Sequence, residues 1–178
     1  MSAALRDALA AALGAAHVSR DPAELALAGS DVFEWPGAVP PDLLLRPGSA
    51  AEAAEAVRLL AGAGYAVVPR GAGLSYTGGA VPHAPRVAVL DTRRLDHVSI
   101  DAGDLRARVG AGATWEALAE AASRHGLRAA VAAPISGSHS TIGGAASQNL
   151  PGSMEGFIGV EAVLADGSLA RAGALAQP

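Results

Sequence analysis

Read as a pattern of apolar and polar positions, the chain opens with a helix: in "SAALRDALAAALGAA" Leu5, Leu9 and Leu13 recur every four residues, as on one helix face. The next stretch, "DPAELALAGSDVFEWPGAVPP", holds Pro22, Pro36, Pro40 and Pro41 and sustains no period, so residues 1–41 read as a helix followed by a connecting arm. From Asp42 the pattern sharpens. "DLLLRP" has the length and apolarity of a short buried strand. "GSAAEAAEAVRLLAGAG" then places Ser49 and Glu52 at capping-box spacing and Ala53, Ala56, Val57 and Leu60 on one face, with Gly62 and Gly64 to stop the helix. "YAVVPR" is a second strand, so residues 42–70 form a β-α-β unit whose strands are expected to pair in parallel through a right-handed crossover.

Beyond it, "RVAVLDT", "HVSID" and "LRARVGAG" are expected strands, the last with Leu105, Ala107 and Val109 alternating against Arg106 and Arg108, and "DAGD" makes the turn between the last two. "TWEALAEAASRHG" is a helix capped by Thr114, with Trp115, Leu118 and Ala122 on its inner face and Gly126 at its end. "GVEAVLADGSLARAG" is a hairpin turning at Asp166-Gly167. One parallel unit followed by hairpins predicts an α+β domain: a small parallel β-α-β sub-lobe (42–92) and a larger, mainly antiparallel sub-lobe flanked by helices (93–178).

Composition narrows the chemistry. Only six residues are aromatic, so the core must be built from Val, Leu and Ala. A net charge of −4, with no basic run, argues against nucleic acid and against a membrane surface. Cysteine is absent, which removes disulfides, thiolate nucleophiles and thiolate metal sites. Lysine is absent too, which removes a P-loop lysine and a Schiff base. No apolar run reaches membrane-spanning length, and the lone Asn149 precedes Leu-Pro and forms no glycosylation sequon, so a cytoplasmic location is expected.

Candidate chemistry concentrates in two loops. "PRGAGLSYTGGAVP" follows the second strand at the carboxyl end of the parallel unit, where open α/β sheets bind ligands. A dinucleotide fingerprint fails, because no helix follows before Pro82 and Pro85. An anion nest of backbone N–H groups remains, helped by Arg70, Ser75 and Thr77, beside the plainer reading of a tight connection. "SHSTIGGAASQN" offers Ser138, Ser140 and Thr141 as caps and Gly143 and Gly144 at a helix start; small residues needed for packing are the alternative there. Five histidines show no metal-ligand spacing. His139 alone lies in a candidate loop, where a solvent-facing side chain is the plainer reading. Arg93 and Arg94 beside Asp91 and Asp96 read as a solvated charge cluster.

Four segments in this order, "PDLLLRPGSAAEAAEAVRLLAGAGYAVVPRGAGLSYTGGAVP", "GATWEALAEAASRHGL", "STIGGAASQN" and "GVEAVLADGSL", resemble the FAD-binding domain of the vanillyl-alcohol oxidase and p-cresol methylhydroxylase flavoproteins. They are most similar to the glycolate oxidase flavoprotein subunit and D-lactate dehydrogenase branch. The resemblance implies FAD as cofactor in an oxidoreductase of 2-hydroxy acids or related alcohols. It implies that Arg70, Gly71, Ala72, Gly73, Leu74, Ser75, Thr77, Gly78 and Gly79 wrap the pyrophosphate. Pro134, Ile135, Ser136 and Gly137, with Ser140, Thr141, Ile142, Gly143 and Gly144, would line the flavin and its ribityl chain, and Val160 would meet the nucleotide through its backbone. Leu74 stands where covalently flavinylated relatives carry histidine, so the FAD is expected to be non-covalent. "LPGSMEGFIG" departs from the family's glycine-rich turn. A substrate-covering domain normally follows and the chain stops at Pro178, so the expectation is a cofactor module, with a substrate-domain or electron-transfer subunit as partner and no catalytic residue assigned. A stand-alone FAD or nucleotide-binding module without turnover is the alternative.

Overall fold

A computed structural model describes residues 1–131, 133–150, 152 and 155–173. Pro151, Ser153 and Met154 of the divergent "LPGSMEGFIG" stretch, and the end of the second sub-lobe past Gly173, lie outside the described residues.

The first helix, α1 (Ala3–Leu13), starts where the Ser2 hydroxyl accepts the Leu5 N–H at 3.2 Å, and it buries Leu5, Leu9 and Leu13 as their spacing predicts. A 3-10 turn (Ala15–His17) leads to the two-residue strand β1 (Val18–Ser19). The segment expected to be an irregular arm then holds a helix, α2 (Pro22–Ala28). Its start is locally specified: the Asp21 carboxylate accepts the N–H groups of Ala23 and Glu24, both at 3.0 Å, and Pro22 occupies the first turn. Seven residues are too few to display a helical period, which is why pattern alone misses it.

Strands β2 (Leu43–Leu45), β3 (Ala66–Arg70) and β4 (Val87–Asp91), with helix α3 (Ala50–Gly62) between the first two, form a sheet ordered β1-β2-β4-β3. Ser49 caps α3 by accepting the Glu52 N–H at 3.1 Å, and Glu52 reaches back to the Gly48 N–H at 2.7 Å. Contrary to the simple β-α-β expectation, β2 and β3 run parallel but do not pair. Strand β4 lies between them, with Leu44 opposite Val89 on one side and Val68 opposite the same residue on the other. Burial is the reason: all five residues of "VAVLD" are buried, and a strand covered on both faces and both edges belongs at the centre. Side-chain alternation splits the core in two. Leu43, Leu45, Ala88 and Leu90 meet α1 and α3, whereas Leu44 and Val89 meet Ala28 of α2.

The rest of the chain is antiparallel as expected, but in two separate ladders rather than one larger sheet: β5 (Val98–Asp101) with β6 (Arg106–Val109), and β7 (Gly159–Val163) with β8 (Leu169–Gly173). Leu105, expected on the buried face of β6, is instead 73% exposed, at φ 53° in the turn. Helices α4 (Trp115–Ser123) and α5 (Ile142–Gln148) share a core of Ala113, Trp115, Ile142 and Ala145. The tip of the β7–β8 hairpin rests on α3: a Cβ added to Gly167 would lie 2.7 Å from the Ala54 carbonyl oxygen. Val163 packs into the first core, which joins the two halves.

Candidate functional site

The first glycine loop leaves the carboxyl end of β3 with its donors unspent. Among the described residues, the backbone N–H groups of Gly71, Ala72, Gly73, Leu74, Ser75 and Tyr76 have no intramolecular acceptor, six in succession. A run of unsatisfied N–H groups is what an anion nest requires, and it costs stability unless water or a ligand completes it. Gly73 sits at φ +74°, and the Arg70 guanidinium carbon lies 2.7 Å from where a Cβ would be. Arg70 donates to the Ser30 carbonyl and lies within ion-pair distance of no carboxylate among the described residues. Burial pulls its pKa down, opposed by the fields of Asp91 and Asp31. It is thus a half-desolvated cation without a direct counter-ion.

The loop's second half is not free in the same way. The Thr77 N–H donates to Ser75 Oγ at 3.3 Å, and the Gly78 N–H donates to Asp31 Oδ2 at 3.1 Å. Gly78 is glycine because the Trp35 ring would stand 2.7 Å from its Cβ. Gly79 differs: a Cβ there meets only Thr77 Oγ1 at 3.6 Å, and its backbone angles need no glycine, so nothing in the protein demands the missing side chain. These contacts reveal a strap, residues 30–39, that the sequence reading missed. Val32 N–H donates to the Ser75 carbonyl at 3.2 Å and Val39 N–H to the Pro82 carbonyl at 3.0 Å, while Phe33 and Trp35 stack edge to face at 5.0 Å. Two of the six aromatic residues lying two apart in a proline-rich arm was the available signal.

The second loop is a wall rather than a nest. Gly137 N–H donates to the Pro134 carbonyl at 2.8 Å, and Ser140 spends both its N–H and its hydroxyl on the Gly137 carbonyl, at 3.1 and 2.7 Å. Ile142 and Gly143 donate to the carbonyls of Ala113 and Ala111, and Gly144 donates to Thr141 Oγ1, which caps α5. Gly143 is explained by packing alone, since a Cβ there would lie 2.6 Å from the Ala111 carbonyl oxygen. Ile135 is fully exposed beside Ser136, and Val160 is half-exposed on β7 opposite Ala172.

The two loops nevertheless meet. A Cβ on Gly71 would overlap the Thr141 hydroxyl, and Gln148 Nε2 reaches Ser75 Oγ at 3.5 Å. Residues seventy apart in sequence therefore bound one groove. His139 is 75% exposed and pairs with Glu116 at 3.1 Å. The arginine–aspartate group is solvated as expected at Arg93, Arg94 and Asp96, but not at Asp91. Asp91 is only 2% exposed, and Arg93 holds it with both a 3.0 Å and a 2.6 Å hydrogen bond. Its position at the buried end of the central strand desolvates it, and Arg93, whose side chain is 60% exposed, reaches it from the surface. No group of three metal-ligating side chains gathers among the described residues, and none of their helices is long and apolar enough to cross a membrane.

The family model of the FAD binding domain matches residues 41–173. A D-lactate dehydrogenase of Archaeoglobus fulgidus is 31% identical over 137 residues, which cover 74% of this chain and 31% of that protein. Among solved structures, a p-cresol methylhydroxylase with substrate bound superposes with a TM-score of 0.83 at 16% identity, over 94% of this chain and 34% of that one. The 4-ethylphenol oxidase of Gulosibacter chungangensis gives 0.79 at 22% identity, over 95% of this chain and 34% of its own. The chain spans about a third of the length of these relatives, and the likeness to the solved structures is one of fold. With an unspent row of donors closing a parallel strand and a second loop walling the groove, this chain belongs to the family of FAD binding domains.

Proposed function

We propose that this chain holds FAD non-covalently for a flavin-dependent oxidoreductase of 2-hydroxy acids or related alcohols. The observation that carries the reading is the row of six unspent N–H groups from Gly71 to Tyr76. The residues fit the cofactor. Backbone donors suit a diphosphate, and Gly79 leaves open space where a side chain would stand. In this reading Gly71–Ser75 bind the diphosphate, Thr77 and Gly79 flank it, and Gly78 serves by accepting the strap. Pro134–Gly137 and Ser140–Gly144 shape the groove, their own hydrogen bonds keeping the wall rigid, and Val160 offers backbone to the nucleotide. Leu74 provides no nucleophile for a covalent link. When bound, the flavin supplies a two-electron sink for a substrate C–H bond. The substrate class follows from the likeness to a D-lactate dehydrogenase. Exposed Val32, Phe33, Leu74 and Tyr76 around the strap support a covering substrate domain or electron-transfer subunit, and the absence of cysteine fits a cytoplasmic setting.

The test is titration of the apoprotein with FAD followed by acid precipitation. Quenching of flavin fluorescence with full release of yellow colour on precipitation is the expected result. No binding overturns the cofactor assignment, and colour retained in the pellet overturns the non-covalent one.

A further inference from the structure

A second cleft-forming feature lies on the α2 side of the sheet, bounded by α2 and the carboxyl ends of β2, β3 and β4, with a volume of about 320 Å³. Ligands of open α/β sheets gather at such strand ends. Three guanidiniums from three elements reach it: Arg46 just past β2, Arg70 at the end of β3 and Arg93 just past β4. Two carboxylates answer them. Glu24 of α2 takes Arg46 at 2.8 Å, and Asp91 takes Arg93 through two close hydrogen bonds, with Arg46 at 4.0 Å. Three positive groups against two negative ones leave one positive charge, and Arg70 is the group with no carboxylate. The remaining walls are apolar: Leu27, Ala28 and Leu44. Leu27 is 69% exposed, a large apolar side chain kept at the mouth of a charged cleft.

We propose that this cleft binds a small aliphatic monocarboxylate, its carboxylate on Arg70 and its carbon chain against Leu27 and Leu44, alongside the FAD held by the glycine loops. One missing negative charge selects a monoanion, since a dianion would overcompensate. The apolar walls favour a carbon body over a bare inorganic ion. The volume admits a few carbons and excludes a dinucleotide. Half-burial of the Arg70 guanidinium makes it the group that gains most from a counter-ion. The same anionic chemistry could come from the diphosphate of FAD, because Ala72 borders both the cleft and the nest, and the experiment separates the two sources.

The probe is sodium butyrate, with butyramide as its neutral isostere and inorganic sulfate as a dianion. The readout is the Nε–Hε resonances of Arg46, Arg70 and Arg93 in arginine-labelled protein, at constant ionic strength, with and without saturating FAD. Butyrate should shift Arg70 in both states and butyramide should not. On α2, away from the glycine loops, Glu24→Gln should tighten butyrate several-fold by removing the negative charge that answers Arg46, and Leu27→Asp should weaken it about tenfold by placing a negative charge at the mouth. Circular dichroism verifies that both variants fold. The proposal is overturned if Arg70 does not respond, if butyramide acts equally, if sulfate binds more tightly than butyrate, if FAD abolishes the response, or if the two variants shift affinity in the same direction. Because the apoprotein arm needs no flavin, failure of the cofactor reading would leave this result standing.

Discussion

Gly143→Ala separates the packing role of the second loop from a ligand role. The added Cβ would sit 2.6 Å from the Ala111 carbonyl oxygen and 2.7 Å from the Ala111 Cβ, and the backbone there cannot rotate away as a side-chain tip would. Overpacking of this kind costs about 1–3 kcal/mol. The Gly143 N–H bond to that same carbonyl, now 3.0 Å, would lengthen or break, for about 1 kcal/mol more. Against this, alanine in place of glycine within α5 returns about 1 kcal/mol of helix propensity. The net is a loss of about 1–3 kcal/mol, which in a domain of this size lowers the melting temperature by roughly 2–12 °C. Thermal unfolding of the apoprotein, followed by circular dichroism without flavin, measures it. Gly62→Ala near the end of α3 isolates the propensity term, because its Cβ meets nothing within 4 Å; that variant should melt at or slightly above the parent temperature. A Gly143→Ala protein that melts as high as the parent would refute the packing account and return Gly143 to the ligand site.

Gly79→Ala should leave the apoprotein's melting temperature within about 2 °C of the parent yet weaken FAD binding in a fluorescence titration; unchanged affinity would remove that position from the cofactor groove. Asp31→Ala strips the acceptor from the buried Gly78 N–H and should cost about 1–3 kcal/mol in urea unfolding, whereas a negligible change would show that the strap does not pin the loop. Thr141→Ala loses the α5 cap and should destabilise by about 0.5–2 kcal/mol by the same assay; a neutral result would count against the cap.

What the sequence makes legible here is what short-range physics decides. Ser49 and Glu52, Thr114 and Gly126, and Asp166-Gly167 each announce a helix end or a turn within a few residues, and each is found in place. The leucine spacing of α1 and the apolar run of β4 likewise report burial directly. What escapes is set by partners distant in the chain. The order of β2, β4 and β3 depends on which strand is covered on every side, and the spacing between strands does not encode it. The strap is invisible because Asp31, Val32 and Trp35 acquire their roles only against a loop more than forty residues away. The two glycine-rich loops look alike as strings, yet one leaves six consecutive N–H groups open, whereas the other spends those of Gly137, Ser140, Ile142, Gly143 and Gly144. The carbonyls of Ala111, Ala113, Pro134 and Gly137 and the Thr141 hydroxyl distinguish them. The buried state of Asp91 is likewise a property of its place at the end of the central strand.

The meeting of Gly71 with Thr141 has a consequence for how the domain can change over time. Because the hydroxyl occupies the volume a side chain at 71 would need, the two positions are not independently variable. Gly71→Ala alone forces the loops apart and widens the groove, whereas the same change made with Thr141→Gly is relieved of the clash and loses chiefly the cap. Their effects in a double-mutant cycle must therefore be strongly non-additive. A lineage carrying a larger residue at 71 is expected to have surrendered the β-branched cap first, so this joint acts as a ratchet on the order in which substitutions can be accepted.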